Sequence, residues 1–96
     1  MKTNEDVRNA LLEAYDEDMA NNIVFFESPD YADAVIGTCE ENSVVRLIYS
    51  YEKMVDCLVR RDGMTEEEAA EFIDYNVIRA LPYFKNAPIV MYDMFL

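Results

Sequence analysis

The chain contains no histidine and no tryptophan, and it has only two glycines, three prolines and two cysteines. Without histidine there is no Ser–His or Cys–His nucleophile pair and no imidazole for a catalytic metal site. Gly37 and Gly63 are too few and too far apart for a dinucleotide fingerprint or a phosphate-binding loop. Cys39 and Cys57 make no C-x-x-C and have no second pair, so no zinc or redox motif is present, and free thiols in a cytoplasmic protein are the expectation. No apolar run approaches the span of about 20 residues that a transmembrane helix needs. The stretch Met1–Asp6 is polar and acidic, so a secretory signal is not expected either.

Basic residues are also scarce. Eight Lys and Arg stand against twenty Asp and Glu, a formal charge of −12. A field of that sign repels nucleic acid and anionic membranes, so direct contact with either is not expected. The chain is not disordered for all its charge. Its hydrophobic fraction is 52%, with seven Tyr and five Phe, and disordered chains lack such residues. A chain of 96 residues is expected to form a single domain, 1–96, with a core of its own.

A first helix is predicted from Thr3 to Asn21, with Thr3 or Asn4 as cap, Glu5 and Asp6 at its positive end, and Val7, Leu11, Ala14, Tyr15 and Met19 on one stripe. Ile23–Phe26 is β-branched and aromatic and reads as a strand closed by Ser28-Pro29-Asp30. Ala34–Cys39 and Val44–Tyr49 read as two more strands joined through Glu40–Ser43. Within the latter, Val45, Leu47 and Tyr49 share one face and Val44, Arg46 and Ile48 the other, as a central strand would. Ser50 caps a second helix, Tyr51–Asp62, which Gly63 ends. Thr65 and Glu68 form a capping box that opens a third helix. It is predicted to reach Leu81 before Pro82, with Ala69, Phe72, Ile73, Val77 and Ala80 inward and Asn76 as a paired core amide. Pro88–Tyr92 reads as a fourth strand, and the apolar tail Met94-Phe95-Leu96 is expected to pack on the core or to join a second copy. The order α-β-β-β-α-α-β implies an α+β domain: a mainly antiparallel four-stranded sheet with helices on one face.

Two groups of acids stand out as candidate partner-binding residues. The first helix carries Glu13, Asp16, Glu17 and Asp18; the third carries Glu67, Glu71 and Asp74, with Ile78 on the same face. Acids in this number supply solubility, and spaced three or four residues apart they also imitate phosphates. Asp16-Glu17-Asp18 lacks the alternating ligands and central Gly of a calcium loop, so neither a metal nor a cofactor is expected. Chance pairs of carboxylates carry no specificity for catalysis, and a non-enzymatic role is the expectation. Tyr75 and Arg79, one turn apart, are placed to stack or to form part of a binding edge, with a boundary position where long side chains cover the core margin as the favoured reading.

The block Gly63-Met64-Thr65-Glu66-Glu67-Glu68-Ala69, continued by Glu71–Asn76 and Arg79–Tyr83, resembles a family of small uncharacterised proteins of firmicute bacteria, their phages and other mobile elements. Ser50–Met54 and Ala87–Ile89 belong to the same resemblance, which covers about the last half of the chain. No site residues come with that family. The setting implies, by analogy of class, an inhibitor of a bacterial defence system such as an anti-CRISPR or anti-restriction protein. Its partner would be a protein with a basic nucleic-acid-binding surface, a CRISPR effector for example. The alternative is an adaptor that forms a homodimer through its apolar C-terminal strand.

Overall fold

A computed structural model describes residues 1–95. The first helix is two helices. Helix α1, Asn4–Ala14, opens with Thr3 accepting the Asp6 amide while Asp6 accepts the Thr3 amide, and α2 is Glu17–Asn21. The predicted continuous helix breaks at Tyr15, whose backbone turns extended, with φ −126° and ψ 161°. Two side chains explain the break. The Tyr15 hydroxyl reaches Thr38 Oγ1 at 2.8 Å, and Asp16 caps α2 by accepting the Met19 amide at 2.8 Å. Aspartate gains more as a cap than inside a helix.

Strand β1 is Val35–Glu41 and β2 is Val44–Ser50, paired antiparallel about a two-residue turn. Both turn residues, Asn42 and Ser43, have positive φ (54° and 65°), which matches the right-handed twist of the flanking strands. Helix α3, Tyr51–Asp62, follows β2 directly, and α4 is Glu66–Asn76. A 3₁₀ segment, Ile78–Tyr83, leads toward β3, Ile89–Met91, which pairs parallel with β2. The sheet is therefore three-stranded and mixed, in the order β1-β2-β3, and not the four-stranded antiparallel sheet expected. A connection through two helices crosses over and returns the chain in the same direction, hence the parallel pair.

Ile23–Phe26 forms no strand. It runs as coil with Ile23 and Phe25 buried; Ile23 N donates to Ala20 O, and side chains satisfy the backbone of Phe26 in place of a ladder. The Asn4 amide donates to Phe26 O at 3.1 Å, and Phe26 N donates to the Tyr49 hydroxyl at 3.2 Å. Residues of all four helices (Val7, Leu11, Ala20, Met54, Leu58, Ala69, Ile73) join Val45, Leu47 and Tyr49 in one apolar core. Those three β2 residues alternate along the strand, so the helices lie on one face of the sheet, as predicted.

The α3–α4 turn follows the sequence reading. Ser50 accepts the Lys53 amide at 3.2 Å, Gly63 has φ +71°, and Thr65 and Glu68 complete the capping box. The far end of α4 does not. The helix stops at Asn76 and tightens into the 3₁₀ segment that holds Pro82, a residue unable to donate to an α-helical ladder. The buried line of α4 is Ala69, Ile73 and Val77; Phe72 is half-buried and Asn76 exposed. Asn76 therefore departs from its expected role and donates to Phe72 O at 3.0 Å on the helix surface. The tail departs as well: Met94 and Phe95 are exposed rather than packed on the core, and Leu96 lies outside the described residues. Among the described residues, no helix is long and apolar enough to cross a membrane.

Candidate functional site

Once the capping box fixes where α4 begins, helical spacing assigns its sides. Ala69, Ile73 and Val77 face the core, which leaves Glu67, Glu71 and Asp74 in water. Beside them lies an open groove of about 810 Å³. Its carboxylates are Glu68, Glu71 and Asp74, and its apolar lining comes from Phe72, Tyr75, Ile78 and Tyr92. Glu71, Asp74 and half-buried Ile78 are thus brought together as the sequence suggests, whereas exposed Glu67 stands outside the groove lining.

Tyr51, the first residue of α3, organises one side of the groove. Its hydroxyl donates to Asp74 Oδ1 at 2.9 Å, and its ring centroid lies 4.9 Å from that of Tyr92. Burial, followed by the hydrogen bond to Asp74, pushes the Tyr51 phenol up to about 12. It stays protonated at neutral pH and keeps donating, which holds the Asp74 carboxylate in place. Tyr92 follows β3, so the parallel pairing of β3 with β2 carries this ring to α4. On the other side the Arg79 guanidinium carbon sits 4.8 Å from the Tyr75 ring centroid, so the pair stacks on the surface instead of covering the core margin. Tyr75 remains 68% exposed and Tyr92 53%, so the stack leaves much of both rings in water.

The acids of the first two helices have a different character. Asp16 is occupied as the α2 cap, and Glu17 and Asp18 sit in the first turn, where negative charge suits the helix dipole. Only Glu13, exposed in the last turn of α1, lacks such a local use. Asp18 lines a separate depression with Lys85, which shares no residue with the α4 groove. The two acidic groups are therefore distinct surfaces.

Among the described residues one ion pair is formed, Arg61 with Asp62 at 3.6 Å. Arg79 lines the same groove but stands over the Tyr75 ring, and no groove carboxylate forms an ion pair with it among the described residues. Among the same residues no group of three or more His, Cys, Asp or Glu is placed to hold a metal ion. Cys39 and Cys57 are free, and burial pushes the Cys57 thiol up, away from thiolate reactivity. Sequence reasoning missed Glu68, Phe72 and Tyr92 as groove residues. Glu68 and Phe72 had complete explanations as cap and core, and Tyr92 reaches α4 only through the tertiary fold. No protein family, curated protein or solved structure matches this chain.

Proposed function

We propose that this is a non-enzymatic, cytoplasmic binding protein that sets the outer face of α4 against a basic nucleic-acid-binding surface of a protein partner, as an inhibitor that takes the place of the nucleic acid. The observation that carries the reading is the grouping, along one groove, of exposed aromatic rings and carboxylates that form no ion pair. Spacing adds to it. Glu67, Glu71 and Asp74, the acids on the outer side of α4, span seven residue steps, about 10.5 Å of helix axis, or about one charge per 5 Å. A single strand of B-DNA carries one per about 3.4 Å, and the duplex twice that density. The face thus offers about two-thirds of the charge density of one strand, and exposed aromatic rings are what such basic sites present to bases. A CRISPR effector is one partner of this chemistry.

The test is capture of partners from host extract at low and moderate salt, with two charge-reversed variants. Changing Glu67, Glu71 and Asp74 to Lys should abolish capture, while changing Glu13 and Glu17 to Lys should leave most of it. The reverse result, in folded proteins, would refute the α4 reading. A second reading has its own support: β3 is an edge strand with one free side, and the tail beyond it exposes Met94 and Phe95. Self-association through that edge predicts a dimer by light scattering that becomes a monomer when residues 94–96 are removed.

A further inference from the structure

Resting on the binding role proposed above, we propose that the α4 groove selects arginine, so that its occupant is a partner segment with an arginine next to an apolar residue. The groove brings together the two chemistries that a guanidinium needs and an ammonium uses less well. Glu71 and Asp74 supply negative charge, and Tyr75 and Tyr92 supply exposed aromatic faces. A guanidinium is planar and weakly hydrated, so it stacks on a ring while its edge donates to carboxylate; an ammonium holds its water and has no flat face to offer. The chain itself shows that the wall accepts this group, since Arg79 stacks on Tyr75 with its guanidinium carbon 4.8 Å from the ring centroid. That contact uses one ring. Tyr92, backed by Tyr51 at 4.9 Å, stands as a second face on the same groove. The Tyr51 hydroxyl fixes Asp74 beside it, so the carboxylate and the ring are positioned by one residue. Phe72 and Ile78 give the neighbouring apolar side chain a place to lie.

The experiment titrates the full chain with three short peptides that differ at one position type: alternating Arg and Leu, Lys and Leu, and Gln and Leu. Binding of the Arg peptide should be about 3- to 10-fold tighter than that of the Lys peptide, the ratio a desolvated stacking contact gives, and the Gln peptide should not bind measurably. Tyr92→Leu keeps an apolar lining but removes the ring, so it should bring the Arg and Lys peptides to equal affinity. Glu71→Gln combined with Asp74→Asn should weaken both charged peptides alike and flatten their salt dependence. Equal affinity for the Arg and Lys peptides in the parent, or a preference that survives Tyr92→Leu, overturns the inference. If charge reversal on α4 abolishes capture of a partner while the peptides show no arginine preference, the selectivity falls and the binding role stands. If charge reversal has no effect either, both fall.

Discussion

Tyr31 and Tyr49 offer a test of the interior in which two like residues should respond with opposite signs. Both are buried, at 1% and 0% exposed, and both pack on Phe26, with ring centroids 6.2 Å and 4.6 Å from it. Their hydroxyls differ. That of Tyr49 accepts the Phe26 amide at 3.2 Å, whereas that of Tyr31 has no hydrogen-bond partner among the described residues. Tyr49→Phe leaves the Phe26 amide without its acceptor. Because Phe26 is half-buried, water can partly replace the bond, and the cost should be about 1 kcal/mol. Tyr31→Phe removes a hydroxyl that was desolvated without compensation. It should be neutral or stabilising by up to about 2 kcal/mol, since an unpaired buried polar group costs about 1–3 kcal/mol and the vacated volume returns some of it. For a domain of this size each kcal/mol is about 4–8 °C in Tm. Urea unfolding at pH 7 reads the difference as opposite shifts of the midpoint at constant slope. A loss of more than about 1 kcal/mol in Tyr31→Phe, or an unchanged Tyr49→Phe, would refute the assignment of the two hydroxyls.

The same phenols set an alkaline limit. Burial pushes both up to about 12 from the ordinary value near 10, so the folded state favours the neutral form. That contribution is complete below about pH 10 and is lost as pH rises toward 12, on the order of 2–3 kcal/mol for each group. Circular dichroism and tyrosinate absorbance should therefore show unfolding in that window, and it should move upward in Tyr31→Phe. At the α3–α4 turn, a Cβ at Gly63 would meet nothing within 4 Å but would sit at φ +71°, so Gly63→Val should cost about 1–2 kcal/mol from the backbone alone. Thr65→Ala should cost about 0.5–2 kcal/mol by thermal melting, through loss of the cap to Glu68 N. Ile73→Ala, fully buried, should cost about 2–5 kcal/mol, and half-buried Phe72→Ala only about 1–2 kcal/mol despite its larger side chain.

What the sequence makes legible here is local. Ser50, Gly63 and the Thr65–Glu68 box act over three or four residues, and each sits where its chemistry puts it. The alternation along β2 identifies its core face for the same reason. The features that could not be read depend on partners far along the chain. Ile23–Phe26 has strand composition, but Asn4 and Tyr49, 22 and 23 residues away from Phe26, take its hydrogen bonds. Helix α1 ends because Tyr15 reaches Thr38, also 23 residues away. The candidate site divides along the same line. Glu71, Asp74 and Ile78 share a side of one stretch of chain and were legible together. Tyr92 joins them only because β3 returns parallel to β2, a pairing that short-range patterns do not encode.

The division of labour on α4 explains why so apolar a groove can stay open to water. Its buried line is narrow, and Ala69, with a single methyl group, lies at 0% exposure within it. A small residue there lets a neighbouring helix approach closely, and α3 and α4 pack together across the Gly63 turn. Phe72 is half-buried, and Tyr75 points outward with Arg79 across its ring. The sheet and α3 supply Leu47, Tyr49, Met54 and Leu58 to the interior at 0% exposure, and Phe72 packs on its margin. Aromatic area left in water on a small domain marks an interaction surface when it is contiguous and rimmed by charge. In the α4 groove Phe72 and Ile78 serve both sides, since they pack on the core margin, while Tyr75 and Tyr92 lie largely in water, and it is these two rings that the proposed binding role would use.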